Sequence, residues 1–147
     1  TTGPSHASYA NYKGTSALSE PESKALANLA NSTNWTMTIS YHSMGNLVYW
    51  DFAGNKVAEQ SKELAELVTG ISGYRTNRSS GKGGFKDYVQ IKDSPIPSLT
   101  IEVGSVACPM PASEFGNVWN SNQSVTVLVT GIFTYYLPKI YLNFKIG

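Results

Sequence analysis

The hydrophobic pattern of this chain is most pronounced in one stretch, residues 35–52, which reads WTMTISYHSMGNLVYWDF. β-Branched and aromatic residues dominate the stretch, and Gly45-Asn46 has the composition of a turn. We therefore predict a strand over 35–41, a turn, and a second extended segment over 47–52. His42 lies where the first predicted strand ends.

Apolar residues at helical spacing mark the other regular segments. Helices are predicted after Ser19, over 56–69, over 85–91 and from Ser113 onward. At the first of these, Ser19 and Glu22 have the spacing of a capping box, in which a hydroxyl and a carboxylate satisfy free amides reciprocally.

Three further segments complete the pattern. Residues 73–84, GYRTNRSSGKGG, are rich in Gly, Ser and cationic side chains and predict a flexible loop. A compact apolar run, SLTIEV at 98–103, predicts a third strand that Gly104 ends. Past Ser124 the chain is β-branched and aromatic, and Pro138 interrupts it. There we predict a helix that runs into an irregular or strand-like tail.

The alternation of helices and strands predicts an α/β fold, with three layers (α/β/α) and a mixed, mostly parallel sheet. We expect one domain over 1–147, with a tail after about 128 whose structure is left open. Three predicted strands with apolar residues leave a sheet edge uncovered. The chain is therefore expected to form part of a larger domain.

Composition restricts the partners. The 147 residues carry a formal net charge of +1, whereas a nucleic-acid surface needs a basic excess. No run reaches the length of a membrane-spanning helix, so we expect neither nucleic acid nor membrane as a partner.

A single cysteine, Cys108, excludes an intrachain disulfide and leaves the compartment open. Because the chain begins at Thr1 without methionine or leader, we expect a processed product or a piece of a longer protein.

Three residues suggest chemistry. Glu102 is an acid inside an apolar strand, where a carboxylate is costly to bury unless it is paired or functional; a structural ion pair is the alternative. His42 follows a strand and is either a structural histidine or a metal ligand. Tyr74 begins the predicted loop, where a side chain can close over a ligand. Together these residue types suit metal-assisted peptide hydrolysis.

Several short motifs occur in a characteristic order. They are Ser-Glu-Pro-Glu at 19–22, Ser-Tyr-His-Ser at 40–43, Gly-Tyr-Arg at 73–75, Gly-Gly-Phe-Lys-Asp at 83–87, Thr-Ile-Glu-Val-Gly at 100–104, and Cys108-Pro109. In this order and spacing the chain resembles, over residues 12–128, the C-terminal half of the zinc carboxypeptidases, the carboxypeptidase A-like family. It is similar in particular to the bacterial branch that cleaves γ-D-glutamyl–diaminopimelate bonds in peptidoglycan peptides.

The resemblance implies a role for five side chains. His42 would be the third zinc ligand, and Glu102 the general base. Ser43 would lie near the substrate, and Tyr74 would be a mobile tyrosine that folds over it. Lys86 would contact the side chain that follows the cleaved bond; a lysine there suits a carboxylate, as in diaminopimelate or in an acidic, glutamate-like residue. The alternative for Lys86 is a solvated helix lysine.

The family's other two zinc ligands come as His-x-x-Glu, and neither His6 nor His42 has glutamate at the third following position. We therefore expect Zn²⁺ with one ligand here, a peptide substrate, and the missing N-terminal half of the domain as a partner. The alternative is a truncated, non-catalytic relative that at most binds peptide. A serine hydrolase is disfavoured, because no Gly-x-Ser-x-Gly is present and the adjacent His42 and Ser43 would point to opposite faces of a strand.

Overall fold

The structure, a computed structural model, describes residues 4, 6–7, 12–52, 54–79 and 83–136. The helices are α1 (Pro21–Asn31), α2 (Ala58–Ser72), α3 (Phe85–Ile91) and α4 (Phe115–Tyr136), with a short 3-10 turn at Ala112–Glu114 before α4. The strands are β1 (Thr38–His42), β2 (Leu47–Asp51), β3 (Arg75–Arg78) and β4 (Ser98–Glu102).

The four described strands form one mixed sheet in the order β1-β4-β2-β3. β1 is parallel to β4, β4 is antiparallel to β2, and β2 is parallel to β3. The predicted α/β fold with a mixed, mostly parallel sheet is confirmed. Although β1 and β2 follow each other in the chain, they do not pair, because β4 lies between them.

The main core lies where α2 and α4 pack on one face of the sheet. Leu99 and Ile101 of β4 and Val48 of β2 are fully buried there, against Val68 of α2 and Val125 of α4. The alternation of β4 directs Thr100 and Glu102 away from this core. Because the apolar residues of β4 pack into the main core, its polar residues are fixed on the opposite face of the sheet.

A smaller core joins α1 to α3. Ala30, Val89 and Ile96 are buried together there. The amide of Gln90 ties α3 to the sheet, since Nε2 donates to the carbonyl oxygens of Trp50 (2.8 Å) and Ser98 (3.0 Å). These bonds fix α3 beside β2 and β4.

Two sequence expectations are wrong in detail. The stretch expected to be a flexible loop contains β3, whose four residues are all exposed and therefore give no hydrophobic alternation. The predicted capping box does not form: α1 begins at Pro21 after an N-cap Glu20, and the Ser19 hydroxyl donates to the Glu20 carboxylate instead (2.9 Å).

The segment past Ser124 is helical up to Tyr136, as the end of α4. The predicted tail beyond it, including Pro138, lies outside the described residues. Within the described part of the chain, no helix combines the length and the apolar character needed to cross a bilayer.

Candidate active site

His42 and Glu102 are direct partners at the ends of two neighbouring strands. They form the last pair in the parallel register of β1 and β4. The backbone amide of Val103 donates to the carbonyl oxygen of His42 (2.8 Å), which continues the ladder one step beyond β4. Because directly paired residues point to the same face, the imidazole and the carboxylate lie side by side, opposite the main core.

The two side chains differ in exposure. His42 is exposed and Glu102 is half-buried. Burial raises the pKa of the Glu102 carboxyl above its ordinary value, and the nearby His42 partly offsets that rise. A carboxylate whose proton affinity is raised in this way suits proton transfer better than a fully solvated one.

The connection from β1 to β2 passes over the end of β4. Its residues, Ser43 to Asn46, must cross there because β4 separates the two strands. The carbonyl oxygen of Gly104 accepts hydrogen bonds from the amides of Gly45 (2.7 Å) and Asn46 (3.1 Å). Ser43 is exposed beside His42, and its Oγ lies 3.6 Å from Cys108 Sγ. The predicted site residue Ser43 is thus brought next to the His42–Glu102 pair.

Tyr74 has a different location from that expected. It is buried in the main core, between the end of α2 and the start of β3, and it does not open a loop. Its phenol oxygen accepts a hydrogen bond from Asn122 Nδ2 of α4 (2.9 Å), and its amide donates to Ser72 Oγ (3.2 Å). In this arrangement Tyr74 joins α2 to α4. Its closure over a ligand stays a prediction.

Lys86 is buried in the first turn of α3, with an exposed fraction of only 3%. The interpretation of this residue as a solvated helix lysine is wrong. Its Nζ donates to the carboxylate of Asp87 (2.6 Å) and to the carbonyl oxygen of Asp51 (2.9 Å). The ammonium group is therefore occupied by protein acceptors, and its contact with a substrate carboxylate stays a prediction.

The chain is similar to known proteins over most of its length. The family model for zinc carboxypeptidases matches residues 2–125. The chain belongs to the zinc carboxypeptidase family. It is 31% identical over 123 residues to gamma-D-glutamyl-L-diamino acid endopeptidase 1 of Lysinibacillus sphaericus, a match that covers 83% of this chain and 30% of that protein. It is 29% identical over 126 residues to the uncharacterized protein YqgT of Bacillus subtilis (strain 168), covering 83% of this chain and 33% of that protein.

Among solved structures, this zinc carboxypeptidase relative matches thrombin activatable fibrinolysis inhibitor (TAFI) with a TM-score of 0.71. The match covers 86% of this chain and 37% of that one, at 18% identity, and it establishes the fold alone. The chain spans about a third of the length of the curated relatives it matches.

The described residues of this family member fit a zinc ion only in part. His42 has an exposed imidazole at a strand end, which suits one ligand. Within the described residues, no group of three or more His, Cys, Asp or Glu side chains could hold a metal ion. Because catalytic zinc is normally held by three protein ligands, His42 by itself does not make a zinc centre.

Sequence reasoning missed a second charged cluster, which centres on Asp51 at the end of β2. Asp51 is buried, and its carboxylate accepts hydrogen bonds from Asn55 Nδ2 (3.1 Å) and Arg78 Nε (2.7 Å). The Arg78 guanidinium also lies 5.6 Å from the ring centroid of Trp50. The available signal was an acid inside a predicted apolar strand, which is the same signal that identified Glu102. The cluster anchors β3 to β2.

Proposed function

We propose that this chain forms the C-terminal part of the active site of a zinc-dependent peptidase. The observation that carries the proposal is the His42–Glu102 pair, in which an exposed imidazole and a half-buried carboxylate end adjacent parallel strands. Membership of the zinc carboxypeptidase family supports it.

In this proposal His42 holds zinc through one ring nitrogen, together with ligands supplied by residues outside these 147. Zinc at such a site supplies Lewis-acid activation of water and of the scissile carbonyl. Glu102 accepts a proton from the attacking water and returns it to the leaving nitrogen. The half-buried position of Glu102 keeps the carboxylate within reach of solvent while raising its pKa.

For the substrate, we propose a peptide of the peptidoglycan type that has a diamino acid such as diaminopimelate after the cleaved bond. The support is the 31% identity to a protein named as a gamma-D-glutamyl-L-diamino acid endopeptidase. Ser43, exposed beside His42, is proposed to contact the substrate. The missing part of the domain is the proposed partner, supplied by a longer chain or by a separate one.

The test is hydrolysis. A form of the protein that contains these residues within a full-length domain is loaded with zinc, and a γ-D-glutamyl–diaminopimelate peptide is offered beside an ordinary α-linked peptide. Cleavage of the first peptide, lost on adding a chelator and restored by zinc, supports the proposal. Absence of cleavage of both peptides by a zinc-loaded protein contradicts it.

A non-catalytic role is the second candidate. The observation that favours it is that no group of three metal-ligating side chains occurs among the described residues. In that case the 147-residue chain binds the same peptide without zinc and releases it unchanged. Calorimetric titration of the chain with the uncleaved peptide, in the presence of a chelator, separates this candidate from the first.

A further inference from the structure

The segment that crosses from β1 to β2 is held at one carbonyl group. It leaves β1 immediately after His42, passes over the end of β4 and enters β2 at Leu47. An added Cβ on Gly45 would lie 3.6 Å from Glu102 Cβ, so the crossing runs directly beside the strand position that bears the carboxylate. Any displacement of the crossing would therefore change the relation between His42 and Glu102.

Gly104 supplies the contact that fixes this crossing. Its carbonyl oxygen accepts both the Gly45 amide (2.7 Å) and the Asn46 amide (3.1 Å). The Asn46 carbonyl oxygen in turn accepts the Arg75 amide (3.2 Å), which extends the connection to β3. The second half of the crossing, Gly45 and Asn46, is thus held by the Gly104 carbonyl oxygen. The residue before the crossing, His42, is held through its carbonyl oxygen, which accepts the Val103 amide (2.8 Å).

The backbone of Gly104 requires glycine. Its φ is +72°, in the left-handed region that L side chains rarely adopt. A Cβ there would lie 2.5 Å from Met110 Sδ, closer than real contacts allow. A side chain at this position therefore displaces either Met110 or the carbonyl group that holds the crossing.

We propose that Gly104 is a positioning residue, whose carbonyl holds the 43–46 crossing and so sets His42 and Ser43 against Glu102. The link to catalysis rests on the proposed function, whereas the positioning itself does not. Gly104 makes no contact with substrate in this proposal and acts only through the crossing.

The experiment compares two glycines in the 147-residue chain. Gly104→Ala places an alanine in the left-handed backbone region and also brings its Cβ into steric contact with Met110. Gly54→Ala is the matched control, because Gly54 has φ +78° and an added Cβ would meet no atom within 4 Å. Amide hydrogen exchange is measured at Gly45 and Asn46, and the imidazole resonances of His42 are followed by NMR with the exposed His6 as internal reference.

We expect exchange at Gly45 and Asn46 to accelerate about tenfold in Gly104→Ala, as the loss of such hydrogen bonds implies. The His42 resonances are expected to shift while those of His6 stay in place, and Gly54→Ala is expected to change neither readout. Adding Met110→Ala to Gly104→Ala removes the steric contact, and we expect it to recover part of the protection.

Unchanged exchange at Gly45 and Asn46, or His42 resonances that move no more than in the control, would overturn the proposal. If Gly104→Ala does not fold, the unmodified chain decides: amides of Gly45 and Asn46 that exchange at the rate of an unprotected peptide would overturn it as well. None of these readouts depends on zinc or turnover. A zinc-loaded full-length domain that cleaves neither peptide would contradict the proposed function, whereas protected amides in the 147-residue chain would still support the positioning role.

Discussion

His42 and Glu102 are 60 positions apart in the sequence and occupy the same register position on adjacent strands. Each is the last residue of its strand. Their proximity is a consequence of topology, because β4 inserts between β1 and β2 and lies parallel to β1. The carboxyl ends of parallel strands in α/β folds are where ligand sites are commonly built.

The first prediction concerns Glu102→Gln in a zinc-loaded full-length domain. Glutamine keeps the shape of the side chain but cannot accept the proton, so we expect turnover to fall by about 10²–10⁴-fold. Because Glu102 is not the proposed ligand, zinc content is expected to stay unchanged. Turnover and zinc content are measured on the same samples, the latter by elemental analysis. Glu66→Gln on the exposed surface of α2 is the control, and a Glu102→Gln protein that keeps full activity would refute the assignment.

The second prediction concerns the zinc content of the 147-residue chain itself. His42 offers one ligand, and no group of three is present among the described residues, so we expect far less than one zinc per chain after dialysis against a weak chelator. Elemental analysis measures it. In a full-length domain, His42→Ala should lower zinc affinity, whereas His6→Ala should not. Near-stoichiometric zinc in the short chain would mean that it contains ligands beyond those described.

Much of the fold could be predicted because the hydrophobic pattern is clear where elements are buried. Leu99 and Ile101 alternate with polar residues in β4, and α3 is found over the predicted 85–91. β3 could not be predicted this way, since Arg75–Arg78 is polar and exposed and owes its strand conformation to pairing with β2. Tertiary pairing of this kind leaves no local hydrophobic signal.

The candidate site was likewise predictable from the sequence only in part. Glu102 was identifiable because an acid among apolar strand residues requires a reason, and Asp51 at the end of β2 carried that signal too. The buried location of Lys86 was not predictable. One of its two acceptors, the carbonyl oxygen of Asp51, belongs to a strand that is distant in the sequence, and only the other, Asp87, is its neighbour in the chain. Residue type alone gives a lysine an exposed location, which is the common case for that side chain.

The third prediction separates the core role of Tyr74 from a mobile one. Tyr74→Phe removes the acceptor of the Asn122 hydrogen bond (2.9 Å) inside a buried site, and we expect a loss of about 1 kcal/mol in the free energy of unfolding. Tyr74→Ala should cost about 3–5 kcal/mol, because it also leaves a cavity between α2 and α4. Urea denaturation of the 147-residue chain measures both. If Tyr74 instead moved freely over a ligand, both substitutions would leave the free energy of unfolding almost unchanged.

The last prediction tests the buried ion pair of Lys86 and Asp87. Lys86→Met removes the ammonium and leaves Asp87 Oδ1 without its partner in a region where both side chains are almost inaccessible. Breaking a buried pair on one side typically costs about 3–5 kcal/mol. We expect a loss at the lower end of that range, since the other oxygen of Asp87 keeps the amides of Gly83 (3.0 Å) and Gly84 (3.3 Å). Urea denaturation is again the measurement.

Lys62→Met is the matched control, because Lys62 is exposed and its pair with Glu66 (3.8 Å) lies on the surface of α2. Such a pair contributes about 0.5 kcal/mol or less. The comparison also bears on specificity: a lysine held mainly to bind a substrate carboxylate could be replaced at little cost in stability, and its loss would appear in substrate preference instead. Equal and small effects of the two replacements would therefore favour a substrate-binding Lys86, whereas a large effect confined to Lys86→Met makes the Asp87 pair a structural element of α3.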